Sequence, residues 1–256
     1  MGRLWKSAIP LNNGSRKQTV LRCRSSQTQY GFVGTECARC QMQQKSNVVI
    51  PSGWDPTGDD VKALWAHLQK QYGTILVKKD DDELMDWVSK FLALFPGQTE
   101  EDFLNNFVTT IGRKIYIPFE LGETGAEGWG LWSQIVVGVH EHQHVEQYRG
   151  FPIGHRRKTH GFMDFARLYL SKSKARATFE ANAYTTTQEM GWWRSKTTQD
   201  VERIVQPLAA VYHLSDKEME YARQILLLNT KMVEQGAILT KASSIAIDFL
   251  NQRISS

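Results

Sequence analysis

From Val48 onward the apolar residues recur mainly at three- and four-residue intervals, the period of helices with one buried face. Residues 59–71 put Val61, Leu64, Trp65 and Leu68 on one side, and residues 82–95 do the same with Leu84, Trp87, Val88, Phe91 and Leu92. Thr99-Glu100-Glu101-Asp102 reads as the capped start of a third helix. Residues 128–149 predict a further helix through Leu131, Ile135, Val136 and Val139, stopped by Gly150 and Pro152. A short helix over 161–171, apolar through Phe162, Phe165, Ala166 and Tyr169, precedes another over 174–190, with a loop at 151–160 ahead of it. Two stretches read as strands: Thr74–Val77, and Arg113–Phe119, where Ile115, Ile117 and Phe119 alternate and Pro118 suggests a sheet edge. Residues 197–256 read as all helical. Ser215 and Glu218 form a capping box ahead of Met219, Ala222, Ile225 and Leu226, and Ile245, Ile247, Phe249 and Leu250 mark a last apolar segment. The fold class is α+β.

Residues 1–50 break this pattern. They carry eight basic residues against the single acid Glu36, a net charge of +7 where the whole chain has +4. Apolar periodicity is poor and Ser, Thr, Gln and Asn are frequent, so they read as an extended basic arm suited to nucleic acid, an anionic surface or a neighbouring subunit. All three cysteines lie in this arm, at Cys23, Cys37 and Cys40. Cys37 and Cys40 form a C-x-x-C pair without the fourth ligand a structural zinc site needs. A site completed from elsewhere, a disulfide and free thiols all remain open. Three regions result: the arm 1–50, a metal-binding domain 51–196 and a helical region 197–256. No run approaches 18 apolar residues and the N-terminus lacks a secretory apolar stretch, so the expected location is intracellular, with no membrane contact.

The candidate chemistry lies in His140-Glu141-His142-Gln143-His144, an H-E-x-x-H. On a helix His140 and His144 stand one turn apart on one face and can reach a single ion, with Glu141 placed to hydrogen-bond a water on it. A zinc hydrolase requires two neutral ligands, an adjacent carboxylate base and an open metal position. His142 points to another face and reads as a packing or supporting histidine. A third ligand is still needed. The metzincin continuation fails, because Gln147 and Gly150 stand where it needs a glycine and a third histidine, and the reversed motif is absent. Glu180 is the candidate, 36 positions after His144, sharing a helix face with Ala177, Ala181 and Tyr184. Small residues there would let its helix approach the histidine helix, and a glutamate on such a face is costly to bury without a cation. His155 and His160 compete for the third position.

V-x-V-H-E-H-Q-H-V-E-Q and F-E-A-N-A-Y together resemble the gluzincin metallopeptidases, in particular their small single-domain (minigluzincin) members, over roughly residues 50–195. Glu146 departs from that pattern, which usually has an apolar residue there. The resemblance implies a zincin-like core with a small sheet beside the H-E-x-x-H helix, Zn2+ held by His140, His144 and Glu180, and Glu141 as base. It also implies that an edge strand, here 113–119, pairs with an extended peptide or protein substrate. Tyr184, then His160, are the candidates for a second donor to the tetrahedral oxyanion. Two rival functions stand beside this metallopeptidase. One is a structural subunit of an assembly such as a virion, docking through 1–50 and 197–256. The other is a nucleic-acid-binding protein in which the motif is incidental.

Overall fold

The computed structural model describes residues 54–79, 107–125, 129–153, 157–212 and 214–255. All of them belong to one compact unit spanning Cys37–Ser256. The basic arm with its cysteines, the helices expected over 82–95 and from Thr99, and His155 lie outside the described residues.

Thr57 starts the first helix, α1 (Gly58–Tyr72), by a reciprocal cap. Its hydroxyl accepts from the Asp60 N–H while the Asp60 carboxylate accepts from the Thr57 N–H. Gly73 ends it at φ 63°, a left-handed conformation that favours glycine. Val61, Leu64, Trp65, Leu68 and Tyr72 are its buried face. A three-stranded sheet follows, made of β1 (Ile75–Lys78), β2 (Thr109–Ile111) and β3 (Lys114–Ile117) in the order β1-β3-β2. β3 pairs parallel with β1 and antiparallel with β2, Thr110 facing Ile115.

Two expectations change here. The alternating 113–119 segment is the central strand and not an edge. Pro118 falls one residue past its end, where it interrupts no ladder. β2 is an additional strand, joined to β3 through Gly112, whose φ of 61° suits the first position of a tight hairpin turn.

The site helix α2 (Leu131–Gly150) packs on α1 at a point where only glycine fits. A Cβ on Gly138 would lie 2.7 Å from the Trp65 indole. The same indole donates its N–H to the Gln134 carbonyl at 2.9 Å. A short hairpin, β4 (Pro152–Ile153) with β5 (Arg157–Lys158), occupies the segment expected as a loop. Then come α3 (Gly161–Ser171), α4 (Ser173–Ser195), α5 (Val201–Tyr212), α6 (Asp216–Glu234) and α7 (Lys241–Ser255). α4 is central and packs against α2, α3, α5, α6 and α7. One side of it, with Phe179, Met190 and Trp193, enters the main core beside α1, α2, β3 and α7. The other, with Ala177 and Ala181, enters a second core with Val205, Leu208, Ala222 and Leu226. The alanines expected to ease α4 against the histidine helix therefore pack on α5 and α6. Ala242, Ala246, Ile247 and Leu250 of α7 complete the main core. No helix among the described residues is long and apolar enough to cross a membrane.

Candidate metal centre

Two helices build the site. α2 presents His140 and His144 from successive turns, with their Nε2 atoms 3.2 Å apart. α4 brings Glu180, fully buried, to face them: Oε2 lies 3.9 Å from His140 Nε2 and Oε1 lies 3.7 Å from His144 Nε2. Among the described residues these three side chains are the group that can hold a metal ion. The donor set fits one. Ligand bonds of about 2.05 Å in a tetrahedral arrangement place donor atoms about 3.4 Å apart. The two histidine nitrogens stand close to that spacing, and each carboxylate oxygen of Glu180 lies somewhat beyond it from one histidine. A further observation points the same way. Glu180 Oε2 is buried and accepts no hydrogen bond, which is costly for a carboxylate oxygen unless a cation meets it.

The surroundings suit these three side chains to ligation. Burial, then the neighbouring His144, holds His140 well below the ordinary imidazole range, so its ring is neutral and can ligate. Tyr169, from α3, donates its hydroxyl to Glu180 Oε1 at 2.6 Å and so orients the carboxylate. Burial and the adjacent Glu180 push that phenol well above its usual range, which keeps it a donor. His144 Nδ1 is 2.9 Å from Gln147 Oε1, and the His144 ring packs against Phe165 and Tyr169.

Glu141 is not in the ligand group. Its Oε2 accepts the Thr110 hydroxyl of β2 at 2.6 Å, and burial pushes its carboxyl up to about 7 against the lowering effect of His144 and that hydrogen bond. Lys79, just past β1, is buried close enough to feel this carboxylate. Burial draws its ammonium down to about 7 while Glu141 opposes the shift. His142 packs behind the site between Trp65 and Tyr72, hydrogen-bonded to the Gly138 carbonyl and the Thr74 hydroxyl. Tyr184 lies with its ring edge-on to His140, ring centroids 4.7 Å apart. His160 is exposed at the start of α3, where its N–H meets Asp164, and it is not part of the ligand group.

Sequence reasoning assigned no site role to five further residues around the group: Thr110, Gln147, Tyr169, Asn182 and Tyr212. Tyr212, at the end of α5, stands with its ring edge-on to Tyr169, centroids 6.4 Å apart, and burial and the charge of Glu180 raise its hydroxyl well above the usual phenol range. Gln147 had a usable signal, because it stands three residues after His144 on the same helix face. Thr110 had a fainter one, a β-branched run ahead of a glycine turn. Comparison of the chain with family models, with curated proteins and with solved structures gives no match.

Proposed function

We propose that this protein is a zinc-dependent hydrolase with a zincin-like core, working as a metallopeptidase of the gluzincin kind. The observation that carries the reading is the division of labour on α2. His140 and His144 converge with Glu180 on one point, while Glu141, between the two histidines, is held aside by Thr110. A structural cluster has no need of an uncommitted carboxylate beside its ligands. A zinc ion held by His140, His144 and Glu180 would supply a Lewis acid that brings the pKa of a water towards neutrality.

The protein's own groups do the rest. With Oε2 engaged by Thr110, Glu141 takes a proton at Oε1 and returns it to the leaving amine. Tyr169 is committed to Glu180, so Tyr184, lying against His140, is the proposed donor to the developing oxyanion. β2 is one of the two outer strands of the described sheet and the one that carries Thr110, so the peptide-pairing role expected of 113–119 passes to it. Glu141→Gln tests the assignment. It should keep the metal and lose peptide hydrolysis by at least about a hundredfold; full turnover in that variant would reject Glu141 as the base.

One observation favours a second reading, a structural ion in a larger assembly. His140, Glu141, His144 and Glu180 are each no more than 9% exposed. A structural ion has four protein ligands, whereas a catalytic one has three and an exchangeable water, so a Co2+-loaded protein whose visible spectrum shifts on adding acetohydroxamate has the open position, and one that does not shift has a closed structural site.

A further inference from the structure

Behind the ligands runs a chain of side-chain amides whose polarity is fixed at both ends by backbone groups. At one end the Ala242 N–H, at the start of α7, donates to Gln143 Oε1 at 3.3 Å. A backbone N–H can only donate, so the Gln143 amide nitrogen must face the other way, where it donates to Asn182 Oδ1 at 2.8 Å. At the other end Gln147 Nε2 donates to the Phe179 carbonyl at 2.7 Å, and a carbonyl can only accept. The same nitrogen donates its second hydrogen to Asn182 Oδ1 at 3.0 Å. Two donors thus converge on one oxygen of Asn182. Turning the Gln147 amide over would set its oxygen against two other oxygens. The orientation left is the observed one, with Gln147 Oε1 facing His144 Nδ1 at 2.9 Å. An amide oxygen requires a donor, so His144 carries its proton on Nδ1 and leaves the Nε2 lone pair directed at His140 and Glu180.

We propose that Asn182 is a positioning residue for the metal centre. Its Oδ1 is the second acceptor beside the Phe179 carbonyl, and it doubles the bias that holds Gln147 in the orientation selecting the His144 tautomer whose Nε2 can ligate. Asn182 touches none of the three ligands in this network. It acts from α4, two residues past Glu180, on a histidine of α2. This inference rests on the metal-centre reading of the site, yet its first consequence is a property of the metal-free protein.

The test uses the full chain in two measurements. Long-range 1H–15N spectra of the metal-free protein report the His144 tautomer, and competition with a chromophoric chelator reports zinc affinity. In the wild type His144 should be protonated at Nδ1. Asn182→Ala should give a tautomer mixture and bind zinc about tenfold more weakly, with Gln147→Leu at the larger end of a range of about 10–100-fold. Because Asn182 acts through Gln147, the double variant should match Gln147→Leu to within about threefold. Additive losses would overturn the proposal, as would an Nε2-protonated His144 in the wild type. Asn182→Asp keeps the accepting oxygen and should retain the wild-type tautomer, whatever its added charge does to affinity. It decides the matter if Asn182→Ala does not fold, and loss of the Nδ1-protonated form there would overturn the relay. If the wild type takes up no zinc, the metal-centre reading fails, and the tautomer spectra of wild type and Asn182→Asp still judge the relay.

Discussion

Glu189 is a buried carboxylate outside the motifs, and its replacement by Gln should make the protein more stable at high pH. It lies on α4, well past Glu180, and accepts hydrogen bonds from the Leu239 N–H, the Thr240 N–H and the Thr240 hydroxyl, so it anchors the start of α7. Burial outweighs those bonds and pushes its carboxyl from 4.5 up to about 7. A raised carboxyl pKa means that the native state favours the protonated form. The stability it contributes is fully present below the unfolded value and is lost as pH rises through the folded one. A difference of about 2.5 pH units is worth about 3 kcal/mol in full, of which about 2.5 kcal/mol falls between pH 5 and pH 8. The amide introduced by Glu189→Gln would keep an accepting oxygen for the two N–H groups and carry no charge. Urea unfolding of wild type and Glu189→Gln at pH 5 and pH 8 measures the difference. The variant should be close to wild type at pH 5 and more stable by about 2 kcal/mol or more at pH 8. A stability difference that stays constant across that range would refute the reasoning, because the other titrating groups are common to both proteins and cancel in the difference.

Gly138→Ala should destabilise the protein by about 1–3 kcal/mol despite the better helix propensity of alanine, because the new Cβ would meet the Trp65 indole at 2.7 Å; a melting temperature equal to wild type would contradict this close packing. Tyr169→Phe removes the hydroxyl that holds Glu180 Oε1 and should weaken zinc binding about tenfold with little change in helix content. Unchanged affinity by chelator competition would show that Glu180 needs no such support.

The helices of the described residues and the pairing of His140 with His144 were legible because each rests on local spacing. Val61, Leu64, Trp65 and Leu68 state the α1 face outright, and the i, i+4 histidines state a shared point in space. Glu180 was legible for an energetic reason, a carboxylate among small and apolar neighbours. The stated packing was nevertheless different, since Ala177 and Ala181 face the second core. α2 and α4 instead meet through amides, with Gln147 reaching the Phe179 backbone. β2 is three residues long, too short for alternation to register, and its Thr110 reaches Glu141 only through the sheet order. β3 resembled an edge because of Pro118, but Ile115, Tyr116 and Ile117 are all buried, as a central strand requires. Tyr169 and Tyr212 join the site from separate helices, a long-range arrangement that no local pattern encodes.

The metal content of the purified wild-type chain, set beside His144→Ala and Glu180→Ala, bears most directly on the proposed zinc centre. About one zinc ion per chain is expected in the wild type, and loss of it in both variants while their helix content is retained. Zinc at the wild-type level in Glu180→Ala, or a folded wild-type chain that takes up none, would contradict it.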